Sequence, residues 1–339
     1  MNEILGKQET EISHENIEYY FENYHELYAK FNLFSKEINY SDYVFRGHSK
    51  EEYLLKPTIK RNEDEIREGS FTKEIDLLER FATSLSRSGL HIPRGGECFL
   101  RLNPFISNLQ EWPSSEVLDF LAYAQHNGLS TRMLDWTYDI NIALYMAADG
   151  VVKNVEKMIL RKYKDEEIIE ENFQDKNIVI WCFNYAQWDR LTGNICQDLR
   201  CHGPQDSILR FTQINYEDNR FAYRQKGLLS YNKLHAKATG EFIKDRYAVW
   251  NTISSEEDNL DIEAYIKTYM NDKVKSTEKI TDPQMIKIKI PAKQSLNILD
   301  ILSQLDYKEE SIFPTPQNIA KLIMKNGKNL KLKELFAQV

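Results

Sequence analysis

A polar run set between two helical patterns fixes how this chain can fold. Gln125-His126-Asn127-Gly128-Leu129-Ser130-Thr131-Arg132-Met133-Leu134-Asp135-Trp136-Thr137 gathers more hydrogen-bonding and charged groups than packing needs. Before it, Pro113-Ser114-Ser115-Glu116 offers a helix start with a serine cap and an acid in the first turn. Val117, Leu118, Leu121 and Ala124 supply that helix with a buried face, and Gly128 stops it. After the run, the Asp139 carboxylate can cap free amides and open a second helix through Ile140, Ala143, Leu144 and Ala147. Polar groups held between two buried faces in this way read as a site.

A second run lies upstream. In Tyr43-Val44-Phe45-Arg46-Gly47-His48-Ser49 a β-prone triplet delivers an arginine into a glycine. The expected strand covers residues 43–46 and ends at Gly47, where the missing side chain allows a tight turn and close approach of a ligand. Ile17, Tyr20, Phe21, Tyr24, Leu27 and Phe31 fall at helical spacing and predict an amphipathic helix ahead of that strand. A long helix is predicted over residues 70–86, ending near Gly89. Residues 91–113 read as an irregular loop over the site, and residues 161–176 as a solvated charge run. The apolar run 178–183 predicts a strand, with others around 220–224, 235–243 and 285–290 and a helical tail from Gln317. The expected architecture is α+β: a helical extension over 1–39, one mixed domain over 40–322 and a helical tail over 323–339.

Composition narrows the function classes. A chain of 339 residues, 42% hydrophobic, can bury a substantial core, and its 19 tyrosines and 16 phenylalanines read mostly as core. A net charge of −8 argues against coating nucleic acid over the whole surface and leaves only a local basic cleft. No apolar window is long enough to cross a bilayer, and the first residues lack a signal-peptide pattern, so a cytoplasmic location is expected. Cys196, Cys201 and His202 raise a metal question, but two thiols and one imidazole want a fourth ligand, and no metal is expected. There is no Walker loop or dinucleotide glycine fingerprint, which removes kinase and dehydrogenase readings.

The two runs, followed by Ala143-Leu144-Tyr145-Met146-Ala147, resemble the FRG domain, a bacterial and phage-associated family named for its Phe-Arg-Gly signature. Arg224-Gln225-Lys226-Gly227 and Ser311-Ile312-Phe313-Pro314 fit it too, so that the likeness runs from about Tyr40 to Leu322. Ser130 stands where that family usually has proline. The order of motifs is also similar, at the level of fold, to ADP-ribosyltransferases of the arginine–serine–glutamate type. That similarity implies a central split β-sheet with peripheral helices, NAD as substrate, and a protein or nucleic-acid acceptor in a toxin or anti-phage defence setting.

On that resemblance the catalytic set is Arg46, His126, Asp135 and Gln225. Gly47, Gln125, Ser130, Thr131, Arg132, Trp136, Thr137 and Arg224 would bind substrate. Gln225 falls where those enzymes carry their glutamate, yet an amide supplies no negative charge, so Asp135 is the expected carboxylate and His126 a candidate base. Each residue also has a plainer reading. Arg46 could tie strand to loop, Arg132 and Asp135 could form an ion pair, and His126 could satisfy carbonyls at a helix end. Trp136 could be a packing wedge, and Gln225 could mark a bulge. Two other functions stay open: a non-catalytic nucleotide or nucleic-acid binding module, and a nuclease or hydrolase using His126 and Asp135 with a divalent ion.

Overall fold

The computed structural model describes residues 17–34, 39–61, 70–101, 111–190, 201–202, 207–235, 260–273, 282–315 and 330–338. The chain begins with β1 (Ile17–Tyr20), α1 (Tyr24–Phe34), β2 (Tyr43–His48), α2 (Ser70–Arg87), β3 (Glu111–Trp112), α3 (Leu118–His126) and β4 (Met133–Thr137). It continues through α4 (Ile140–Leu160), α5 (Asp165–Asn172), β5 (Asn177–Asn184), β6 (Cys201–His202), β7 (Leu209–Thr212) and α6 (Arg220–Arg224). β8 (Gly227–Asn232), β9 (Leu234–His235), α7 (Ile262–Lys273), β10 (Met285–Pro291) and α8 (Ser295–Gln304) follow.

Eight strands make one mixed sheet in the order β1-β10-β5-β2-β4-β8-β7-β6, with β1 parallel to β10 and the remaining pairs antiparallel. β3 and β9 form a separate two-stranded ladder. The ladders within each half are long. β2 and β5 are in register from Tyr43↔Asn184 to His48↔Val179, and β4 and β8 from Met133↔Tyr231 to Thr137↔Gly227. Between β2 and β4, among the described residues, a single pair is in register, Phe45↔Thr137. The sheet therefore falls into two four-stranded halves joined at one point.

The apolar run of β5 reads as it does because both of its faces are buried. Ile178, Ile180 and Cys182 pack with Phe45 and with α4 and α8. Val179, Trp181 and Phe183 pack on the other side with Val44, with Leu134, Trp136, Phe211 and Leu228 of the second half, and with Tyr265, Ile266 and Tyr269 of α7. A third cluster joins α2 and α3 to Met133, Leu229 and Tyr231. α4 begins where predicted, with Asp139 accepting from the Asn141 amide at 3.0 Å. Gly128 ends α3 at φ +92°.

Several expectations change. Ile17–Tyr20 is a strand rather than the start of a helix, because the edge of β10 offers it a ladder; the helix begins at Tyr24. β2 runs on to His48, and Gly47 serves the close approach of α4: a Cβ there would lie 1.9 Å from the Ala143 carbonyl oxygen. Residues 220–224 form α6, and the strand follows at β8. Ser114 makes no capping bond, and its buried hydroxyl has no partner; a 3-10 turn precedes α3. The loop expected over 91–113 contains a helical turn, Glu97–Leu100, and β3, while 102–110 lie outside the described residues. The charge run contains α5. Of the predicted strand at 235–243 and the tail from Gln317, residues 236–243 and 316–329 lie outside the described residues; Leu330–Ala337 is helical. Among the described residues no helix is long and apolar enough to cross a membrane. The chain is a single α+β domain.

Candidate functional site

The site is built where the two halves of the sheet part. Side chains alternate along a strand, so Val44, Arg46 and His48 share one face of β2 while Tyr43, Phe45 and Gly47 share the other. Arg46 crosses from β2 to β4: its Nη1 donates to the Asp135 carbonyl at 2.5 Å and lies 3.8 Å from the Asp135 carboxylate. Its Nε donates to His48 Nε2 at 3.1 Å. Guanidinium nitrogens only donate, so Nε2 must accept, and the imidazole proton sits on Nδ1, facing the Tyr53 carbonyl at 3.1 Å. Burial, then the neighbouring Arg46 charge, push His48 down to about 3, and it is neutral. Arg46 Nη2 makes no hydrogen bond among the described residues.

Asp135 is more accessible than its partner, with 39% of its side chain exposed against 15% for Arg46. Gln125 Nε2, from α3, donates to Asp135 Oδ1 at 2.8 Å, and Thr131 Oγ1 donates to Gln125 Oε1 at 2.5 Å. One polar chain thus runs from Thr131 through Gln125, Asp135, Arg46 and His48 to the Tyr53 carbonyl. Both carboxylate oxygens face a donor while part of the group meets solvent. The carboxylate is held in a fixed orientation, an arrangement that suits it to stabilise positive charge on a bound molecule.

The other predicted residues stand elsewhere. Arg132 and Glu74 are fully buried against each other, with Nε to Glu74 Oε2 at 2.5 Å and the Arg132 amide to Oε1 at 2.7 Å; Trp112 Nε1 donates to the same carboxylate. Arg132 is thus an internal strut, joined to Glu74 rather than to Asp135. Trp136 points to the face of β4 opposite Asp135, packed on Phe183 and Phe211 and bonded to Ser230 Oγ at 2.8 Å. Thr137 Oγ1 donates to the Gln225 carbonyl at 2.7 Å and accepts from the Asp139 amide. Gln225 therefore meets Thr137 through its backbone, ahead of a left-handed turn at Lys226. His126 Nδ1 lies 3.2 Å from Asn219 Oδ1. Ser130 is half-buried beside Thr131, and Arg224 is exposed.

Arg46, Gln125, Thr131 and Asp135 are therefore brought together, whereas among the described residues Arg132, Trp136, Thr137, Gln225 and Arg224 are not part of their chain of contacts, and the contact seen for His126 is with Asn219. The sequence reading passed over His48, although its place two residues after Arg46 in a strand puts both on one face. Among the described residues no group of three or more histidine, cysteine or acidic side chains could hold a metal. Cys196 and the side chains of Cys201 and His202 lie outside them.

Residues 41–157 match the family model of the FRG domain. The match spans β2 to most of α4 and includes every side chain of the Thr131–His48 network; the likeness expected as far as Leu322 is not covered beyond 157. No curated protein and no solved structure matches the chain.

Proposed function

We propose that the parting of β2 and β4 is the active centre of an ADP-ribosyltransferase-like enzyme acting on NAD. The observation behind this reading is an accessible carboxylate, Asp135, clamped between Arg46 and Gln125 at the junction of the two half-sheets. In such a reaction the bond between nicotinamide and ribose C1′ breaks, and its electron pair leaves with nicotinamide. An acceptor oxygen or nitrogen then bonds to C1′ and releases its proton to solvent. Positive charge grows on the ribose meanwhile, and Asp135 is the group placed to meet it. Arg46 orients Asp135 and offers Nη2 to an anionic oxygen. Gln125 and Thr131 fix the carboxylate from the other side. The acceptor is a protein or nucleic acid, and we place the activity in the cytoplasm, in a toxin or anti-phage role.

Nicotinamide release from NAD, measured chromatographically with and without cell extract as acceptor source, tests this. Wild type should release it, and Asp135→Asn, which preserves shape, should lower the rate by about 10² to 10³. A silent wild type in both conditions overturns the proposal. A second reading, nucleotide binding without turnover, is favoured by the amide at Gln225 and by the neutralisation of Asp135 by Arg46. It is distinguished by NAD raising the melting temperature of wild type, but not of Arg46→Ala, with no nicotinamide formed.

A further inference from the structure

Beyond β2 the chain passes over α4 beside α5, and a cavity of about 220 Å³ opens there. Gly150 of α4 permits the crossing, since a Cβ at that position would lie 2.8 Å from the Ser49 side chain. The lining is strongly one-sided in charge: Lys50, Lys153, Lys157 and Lys176 face one acid, Glu171. This occurs in a chain whose net charge is −8. Two of the lysines are matched locally, Lys50 by Glu171 and Lys153 by Asp149 at 2.7 Å and Glu309 at 3.5 Å. Lys157 and Lys176 make no ion pair among the described residues. An adjoining depression shares Asn154, Lys157, Glu171 and Lys176 and adds Arg161 together with the acids Glu167 and Glu170, so the basic excess is confined to the cavity itself.

Lys176 also acts on Glu171 at longer range, which leaves four ammonium groups sharing one carboxylate in the cavity wall. Ammonium groups in excess around a concavity repel one another, and a bound anion removes that repulsion. Lysine serves as a point charge for phosphate. Asn154, fixed by its bond to Asn172 Oδ1 at 2.6 Å, adds an oriented amide to the wall. The cavity is smaller than the pockets that enclose large ligands, so its size favours a small phosphorylated molecule over a polymer. Its rim carries Tyr53, whose carbonyl holds His48 and through it Arg46.

We propose that this cavity is a second binding site, separate from the β2–β4 junction, which takes a small phosphorylated molecule through Lys157 and Lys176. The proposal does not rest on the NAD reading. Calorimetric titration of the full chain with inorganic pyrophosphate at low salt is the test. Wild type should bind saturably, one to one. Lys157→Glu with Lys176→Glu should weaken binding more than about tenfold, whereas Arg46→Ala should leave it unchanged. The milder Lys157→Gln with Lys176→Gln, and protection of the two wild-type lysines from acetylation by pyrophosphate, keep the result interpretable if the charge reversals impair folding. No saturable binding at about 1 mM, equal affinity in the double variants, or loss on Arg46→Ala with retention in them would each overturn the site. So would an oligonucleotide binding through these lysines where pyrophosphate does not.

Discussion

Burial and the neighbouring Arg46 charge keep His48 neutral, and that has a pH signature. His48 titrates near its ordinary 6.5 in the unfolded chain and near about 3 in the fold. Between those values the unfolded chain binds a proton that the folded chain refuses. Stability from this group is therefore complete above pH 6.5 and is lost as pH falls toward 3, by up to about 1.4 kcal/mol per unit. Urea unfolding across this window should show a slope that His48→Gln removes. A second prediction concerns Glu74, which neutralises Arg132 where neither side chain meets water. Glu74→Gln leaves a buried guanidinium without its counter-charge and should cost about 3–5 kcal/mol, read from the denaturant midpoint. Glu74→Leu with Arg132→Met should recover only part, because Trp112 Nε1 and the Arg132 amide also lose their acceptor. These two cases mark what single residues disclose in sequence. Arg46 was visible because it stands against a glycine in a β-prone run. The commitment of Arg132 was not visible, because its partner lies 58 positions away and nothing local names it.

Elements with their own signals were legible, and those decided by a distant neighbour were not. The apolar stripe of α2 and the cap at Asp139 are local, and both appear where predicted. Ile17–Tyr20 satisfies helical spacing and also alternates half-buried with exposed; the free edge of β10 decides for the strand. Glycine shows the same division. Gly47 lies within β2 and Gly128 follows the end of α3, and they are glycine for different reasons. At Gly47 a methyl group would drive into the α4 backbone, which cannot yield without lifting the helix from the sheet. Gly47→Ala should cost about 3 kcal/mol. At Gly128 nothing lies within 4 Å, and only φ +92° resists a side chain, so Gly128→Ala should cost about 1 kcal/mol. Denaturant unfolding of the two variants side by side reads that difference directly, and equal losses would show that the β2–α4 contact is looser than described.

The α+β class of the whole chain follows from its alternating strand and helix patterns, but the division of the sheet does not. It arises from the register Phe45↔Thr137, a pairing across 92 positions that no local pattern encodes. Whether the halves also behave as separate bodies depends on what spans the gap. On one face Val44, Val179, Trp181 and Phe183 of the first half pack with Leu134, Trp136, Phe211 and Leu228 of the second, all nearly inaccessible to water. Burial of that apolar area outweighs the few missing ladder bonds, each worth only about 1 kcal/mol net. The halves should therefore open together. Native-state hydrogen exchange in rising denaturant measures this: amides of Ile178 to Phe183 in β5 and of Leu228 to Tyr231 in β8 should converge on one opening free energy. If β8 opened well below β5, the shared cluster would not be holding the halves together. The Arg46–Asp135 link would then join two moving parts instead of fixing a carboxylate within one.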